Sequence, residues 1–517
     1  MSVIDPLGFL GRDFVGYVAA CDPQSVDAAL ADCEHADHER ARAAIEACRQ
    51  ITDGANPDQI HYLLASFDPD AGTSVGNRIR QEVSGQDPPA PGVAEGVLES
   101  LELLARDIYP ALLLPSRPSP TQSSGWPTSP LQLITASLLS NPAAQGVEVA
   151  LRDDPLMDLL APNGGTGFVA FANGGGMGVG CDLLPTSLIG AAAARTRLFH
   201  SELTLELLIR ELGYAVADLY AIVGGEPIDL PVAVALHGLD VQPGEHLDLP
   251  WGTILSSDGG VQSALGNALP PSHAIFATKI NSPVATGAAT GASPPQLPQA
   301  RMRAFHTELD SRIRKTTLSL LLMERDSPLC AVPTRSVAIT PFFGSGWASV
   351  EITPDPRAAT QGALRADDRP ALQAAVSLVD AHYAPSLAIP TRRLTSALMV
   401  RNDIEDGLVD AVVALESLFA GTDSGELTFR IGAAIAWLVG RTAEERLQLQ
   451  REIGRLYSLR SKILHRGNAG QEDVTSERDR TVQLGIEALR ALLTDHPDLV
   501  DEENRGKTII MRGEGPT

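Results

Sequence analysis

The stretch Leu456-Tyr-Ser-Leu-Arg-Ser-Lys-Ile-Leu-His-Arg-Gly467 governs how the C-terminal quarter of this chain is read. Leu449, Ile453, Leu456 and Ile463 recur at about 100° per residue and mark one apolar stripe of a helix, with Arg460 inside that stripe. A guanidinium aimed at a core or an interface requires a carboxylate, a phosphate or a partner chain, because a buried charge left alone is strongly unfavourable. His465 follows at about 140° round an ideal helix from Arg460. Gly467 is a helix terminator, so His465 is expected in the last turn, where the backbone departs from helix geometry and free carbonyls favour imidazolium. A His that titrates near neutrality and a fixed Arg suit phosphodiester transesterification, in which one group moves protons and the other holds the phosphate.

The bare R-x4-H spacing carries little information, since about one such pair is expected by chance from the Arg and His content. The chain supplies two more, Arg195/His200 and Arg301/His306. Ala191 to Ala194 form no stripe comparable to that around Arg460, and Arg301 follows a Pro-rich tract, so neither is taken as a site. The partner expected for Arg460 is Glu416. On the helix beginning near Glu405, Leu408, Val412, Leu415 and Phe419 form the apolar face, and Glu416 lies on its flank, about 80° from Leu408. Arg430, in the apolar segment Leu427 to Val439, competes for the same carboxylate. Between Arg441 and Arg466 there is a local excess of four positive charges, and Arg455, Lys462 and Arg466 are the expected RNA contacts.

Taken together, Leu408-Val-Asp-Ala-Val-Val-Ala-Leu-Glu-Ser-Leu-Phe419, Leu427-Thr-Phe-Arg430 and the run from Leu456 through Arg460 to His465 resemble, in that order, the ApeA-like domains of the HEPN family. The match covers roughly Leu372 to Leu493. The resemblance implies an α-helical bundle and, in many members, metal-independent endoribonuclease action at a dimer interface, with Arg460 and His465 as catalytic positions and Ser461 as the polar residue after the Arg. Asn, Asp or His is common where Ser461 stands. The implied mechanism is attack of an RNA 2′-hydroxyl on its own phosphodiester, with neither metal nor cofactor. The implied setting is the effector of an antiphage or toxin-antitoxin system, with an antitoxin or phage-derived trigger as further partner. The family also contains noncatalytic members, so a nucleotide- or RNA-binding or dimerising scaffold is the alternative reading.

Elsewhere the chain reads as an α+β multidomain protein, mostly α-helical, with a small β-rich middle module and the C-terminal HEPN-like α-helical bundle. The expected organisation is a helical domain over residues 1–115, a Pro/Ser-rich linker over 116–130, and a helical segment with a Gly-rich loop over 131–225. A β-rich module over 226–355, the helical domain over 368–500 and a flexible tail over 501–517 complete it. The Gly-rich patch from Asn163 to Gly180 formally contains G-x-G-x-x-A at Gly165 to Ala170, but no strand–turn–helix pattern surrounds it. The tract from Asn281 to Gln299 reads as a low-complexity loop. With 64 acidic against 40 basic residues and a net charge of −24, nonspecific attachment to nucleic acid or an anionic membrane is not expected. No run reaches the roughly 18 apolar residues of a spanning helix, and no basic, apolar leader opens the chain, so a cytoplasmic location without membrane attachment is expected. The five cysteines, Cys21, Cys33, Cys48, Cys181 and Cys330, suggest neither a disulfide framework nor a zinc site. Cys33, His35 and His38 lie close together but lack a fourth ligand. P-loop and H-E-x-x-H motifs are missing from the sequence.

Overall fold

The computed structural model describes residues 10–23, 26, 36–53, 63–86, 96–115, 141–160, 167–171, 176–179, 184–265, 269, 274–288, 297, 299–342, 349–352, 362–421, 427–466 and 473–513. The expected linker at 116–130 lies outside them, as do Cys33, His35, Cys181 and Gly467. The described part is mostly helical, with its principal sheet in the middle of the chain and helices at the C-terminal end.

The N-terminal region holds α1 (Arg12–Ala19), α2 (Ala36–Ile51), a two-residue hairpin of β1 (Phe67–Asp68) and β2 (Thr73–Ser74), α3 (Val75–Ser84) and α4 (Val97–Leu112). Leu101, Leu104 and Ile108 of α4 are buried at the helical spacing visible in the sequence. Asp107 of the same helix anchors the hairpin, accepting from Thr73 Oγ1 at 2.6 Å and the Ser74 amide at 2.8 Å. Next come α5 (Pro142–Asp153), α6 (Pro155–Leu160), β3 (Gly167–Phe171), β4 (Gly176–Val179), α7 (Leu184–Phe199) and α8 (Leu205–Val223).

The middle of the chain is a sheet of six antiparallel-paired strands, built from β5 (Ile228–His237), β7 (His246–Leu249), β8 (Gly252–Ser256), β9 (Ala274–Ser282), β11 (Val332–Ala338) and β12 (Ser349–Glu351). They run in the order β12-β11-β5-β9-β8-β7. Residues 230–236 of β5 are all buried, as a central strand covered on both faces must be. Helix α9 (Gly259–Ala264) lies between β8 and β9, and α10 (Gln299–Leu322) follows the sheet's inner strands. Trp251 donates its indole N–H to Thr316 Oγ1 of α10 at 2.9 Å, and Arg312 of α10 donates to Thr278 Oγ1 and the Lys279 carbonyl, each at 2.7 Å.

Two expectations are corrected here. The Gly-rich patch is no mere loop: β3 pairs with β4 on one side and with β10 (Val284–Ala288) on the other in a three-stranded antiparallel sheet. Its third strand comes from the tract read as low-complexity loop, so the sheet spans the boundary drawn at 225/226. Glycine weakens a local strand signal, and the pairing that stabilises these strands joins segments more than a hundred residues apart. The β module also passes its expected end, because β13 (Gly362–Leu364) pairs in parallel with β6 (Leu239–Val241).

The C-terminal bundle contains α11 (Arg369–His382), α12 (Ala388–Thr395), a π turn at Ser396–Val400, α13 (Ile404–Phe419), α14 (Leu427–Val439), α15 (Ala443–Arg466) and α16 (Val474–Asp495). The expected apolar faces are buried: Leu408, Val412, Leu415 and Phe419 of α13 meet Ile453, Leu456 and Leu459 of α15 in the common core. The expected flexible tail is corrected too. It carries α17 (Arg505–Arg512), with Ile509 buried and packed on α14; the charged composition masks a short amphipathic helix. Gly238, at φ +85°, turns the chain after β5 where a side chain would collide with Met399 of the π turn, which seats the sheet against the bundle.

Candidate functional site

Arg460 lies in the penultimate turns of α15, and Glu416 lies in the last turn of α13. The structure brings them together: Arg460 Nη1 is 3.6 Å from Glu416 Oε1, with the two side chains 29% and 19% exposed. The expected stripe and flank thus meet between neighbouring helices. The ion pair is loose, however, and Arg460 Nε is buried without a hydrogen bond among the described residues. The Tyr457 hydroxyl, one turn earlier, is likewise buried and closes no hydrogen bond there. Burial and then the neighbouring Glu416 carboxylate push that hydroxyl's pKa well above its ordinary value. Sequence reasoning missed Tyr457, although its i, i+3 relation to Arg460 was the available signal.

Arg430, expected to compete for Glu416, reaches the C-terminal end of α13. Its guanidinium donates to the Ala420 carbonyl, so it satisfies the C-terminus of α13, where cations are favoured by the helix dipole. His465 lies in the last turn of α15, as expected, but without the expected departure from helix geometry. Helix α15 continues to Arg466, so His465 keeps helical geometry and lies exposed, about 140° round the helix from Arg460. Ser461 and Lys462 are exposed between them. Of the expected RNA contacts, Arg455 is paired with Glu477 of α16, and the side chain of Arg466 lies outside the described residues. Leu464, one turn beyond Arg460, is 55% exposed, and Phe429 on the neighbouring α14 is 57% exposed.

Asp410, at the centre of α13, organises the other end of the bundle. It accepts from Arg393 at 2.5 Å, Ser396 at 2.7 Å and Arg401 at 2.6 Å. Burial by itself would raise the Asp410 pKa, but the hydrogen bonds from Arg401 and Ser396 and the charges of Arg401 and Arg393 outweigh it and hold the carboxyl below its usual value. This network fixes the π turn against α13.

A second constellation went unrecognised in the sequence, and it involves the R-x4-H pair set aside at Arg195 and His200. Arg195 of α7 is 6% exposed; its Nε donates to Glu211 Oε2 at 3.0 Å and its Nη1 to Asp218 Oδ2 at 2.6 Å, both on α8. His200 Nε2 lies 3.0 Å from Glu211 Oε1 and 3.2 Å from Arg210 Nη2. Burial would raise Glu211, but hydrogen bonds from His200 and Arg195 lower it below its ordinary value; for Asp218, burial prevails over Arg195 and the pKa is raised. These side chains line a cavity of about 600 Å³ with Tyr214, Asp229 and Lys279.

No family model, curated protein or solved structure matches this chain. Among the described residues, no helix is long and apolar enough to cross a membrane, and no group of three or more His, Cys, Asp or Glu side chains is arranged to hold a metal ion. Cys48 and Cys330 are free thiols that burial pushes up to about 12.

Proposed function

We propose that the chain is a metal-independent endoribonuclease of HEPN type, acting as a homodimer through its C-terminal helices. The observation that carries this reading is the incomplete satisfaction of Arg460: a partly buried guanidinium with a 3.6 Å carboxylate contact and a buried, unbonded Nε. Buried polar groups are ordinarily paired, so this position calls for a further acceptor, and a phosphate oxygen supplies one. Leu464 and Phe429 give the same region the exposed apolar surface on which a second copy can pack.

The spacing of Arg460 and His465 on α15 supports a division of roles between two copies. Arg460 and His465 point to different sides of α15 within one chain, so each composite site takes Arg460 from one copy and His465 from the other. In that cleft the RNA 2′-hydroxyl attacks the adjacent phosphorus and the 5′-oxygen leaves. His465 moves the proton between these oxygens while Arg460 neutralises the pentacoordinate phosphate. Ser461 offers a hydroxyl at the cleft, Lys462 adds positive charge, and Glu416 positions Arg460. DNA lacks the nucleophile and is not cut. The noncatalytic scaffold reading uses the same Arg460–Glu416 contact. Expression of wild type and His465→Ala in a bacterial host, followed by growth and RNA-integrity measurements, separates the two. Intact RNA in both strains would end the nuclease reading. An antiphage or toxin-antitoxin role, with the upstream regions as restraint on the bundle, is the biological setting we attach to this activity.

A further inference from the structure

The cavity between α7, α8, β5 and β9 holds cations in a state that an acidic chain has no reason to leave. Glu211 and Asp218 are both committed to Arg195, and the second oxygen of Glu211 is taken up by His200. Arg195 Nη2 makes no hydrogen bond among the described residues, although the residue is more than nine-tenths buried and lines the cavity. Lys279 rests its ammonium 4.6 Å from the centre of the Phe199 ring, and Arg210 reaches only His200; neither has a carboxylate at ion-pair distance among the described residues. With 64 acidic residues in the chain, carboxylates are not scarce.

His200 sharpens the point. Its Nε2 faces the Glu211 carboxylate, which accepts, and the Arg210 guanidinium, which donates, and one nitrogen cannot serve both. When Nε2–H donates to Glu211, the Arg210 donor is left facing another N–H and is available to a ligand. Arg210, Lys279 and Arg195 therefore line one cavity with donors to offer, while the Asp229 carboxylate on the same wall accepts from Asn281 Nδ2 at 3.3 Å. Tyr214, 51% exposed, presents its ring to the same cavity, with the Arg195 guanidinium 5.8 Å from the ring centre. A volume of about 600 Å³ suits a ligand the size of a mononucleotide.

We infer that this cavity binds a nucleoside monophosphate, its phosphate held by Arg210, Lys279 and Arg195 Nη2 and its base stacked on Tyr214. The assignment is independent of the nuclease reading, because it lies on other elements and needs no RNA cleavage to test.

The test is calorimetric titration of the full chain with the four nucleoside 5′-monophosphates, the matching nucleosides and inorganic phosphate. At least one monophosphate should bind saturably and roughly tenfold or more tighter than its nucleoside, as charge-assisted contacts require. Arg210→Gln combined with Lys279→Gln changes two exposed side chains, so folding is retained, and it should weaken that binding about tenfold or more. Tyr214→Leu should weaken the monophosphate and leave inorganic phosphate unchanged. Absence of saturable binding by every monophosphate at millimolar concentration, or full retention of binding in the double variant, would overturn the site. Inorganic phosphate binding as tightly as every monophosphate would overturn the nucleotide assignment.

Discussion

Arg460→Ala and His465→Ala, each inactive alone, should regain RNA cleavage when mixed. On an ideal helix the five-residue step places the two side chains about 140° apart, with an axial rise of about 7.5 Å, so the guanidinium and imidazole of one chain end roughly 15 Å from each other. Both groups must lie within hydrogen-bonding distance of one phosphodiester, which a single straight α15 cannot arrange. If each site draws Arg460 from one copy and His465 from the other, a mixed dimer holds one intact site and one doubly damaged site. Random exchange at equal concentrations yields half mixed dimers, and the expected activity is about one quarter of wild type. The assay is cleavage of a labelled RNA before and after mixing, with exchange verified by native mass spectrometry on chains of different tag mass. Proven exchange with no recovered cleavage would refute the trans arrangement, and cleavage by a wild-type monomer would refute the composite site altogether.

The same RNA assay should show cleavage undiminished by EDTA, products ending in 2′,3′-cyclic phosphate, and a loss of about 10²-fold or more in either single variant; a Mg²⁺ requirement would exclude the mechanism. Glu416→Gln should lower both cleavage and thermal stability, by about 1 to 2 kcal/mol for a partly buried pair, and unchanged melting with full activity would remove Glu416 from the site. For Asp410 the folded carboxyl is held below its unfolded value of about 3.9, so its stabilising contribution is complete above that value and is lost as pH falls through the folded pKa. Urea melts of wild type and Asp410→Asn should accordingly differ near neutrality and converge in that acid window; a pH-independent difference would assign the effect to packing alone.

How far the sequence is legible depends on whether each signal is local. The faces of α13 and α15 are read directly because Leu408, Val412 and Leu415, and Ile453 and Leu456, repeat at helical spacing and are buried on that spacing. The Arg460–Glu416 pair follows from those same faces, since a charge on each stripe or flank must meet its complement. The strands β5, β7 and β9 are likewise legible from β-branched or alternating runs between turns. Three features resist this reading. Strands β3 and β4 are glycine-rich and depend on β10, far away in sequence. Helix α7 is buried almost all round, Leu188 to Ala194 included, so it has no polar face against which Arg195 stands out. The missed clue lay on α8, where Glu211 and Asp218 share one flank of the stripe formed by Leu208, Leu212, Ala215 and Leu219. Like Glu416 beside Arg460, these flank carboxylates need a buried cation as partner, and Arg195 is that cation.

The two constellations are joined by one structural element. Arg312 of α10 grips the backbone of β9 at Lys279, a residue of the nucleotide cavity. About 15 Å further along the helix axis, by the rise per residue, the C-terminal carbonyls of Leu322 and Met323 accept from Arg490 of α16, at 3.2 and 3.3 Å. Helix α16 packs on α13, the helix that carries Glu416. Between these ends Lys315 of α10 pairs with Asp380 of α11 at 3.4 Å, and Trp251 holds Thr316. The C-terminal half of α10 is therefore held by arginine contacts to backbone carbonyls, one to the sheet at Arg312 and the other to the bundle at its C-terminal end. His200 Nε2, which can donate to Glu211 or accept from Arg210 but not both, lines the same cavity as Lys279, whose backbone Arg312 holds.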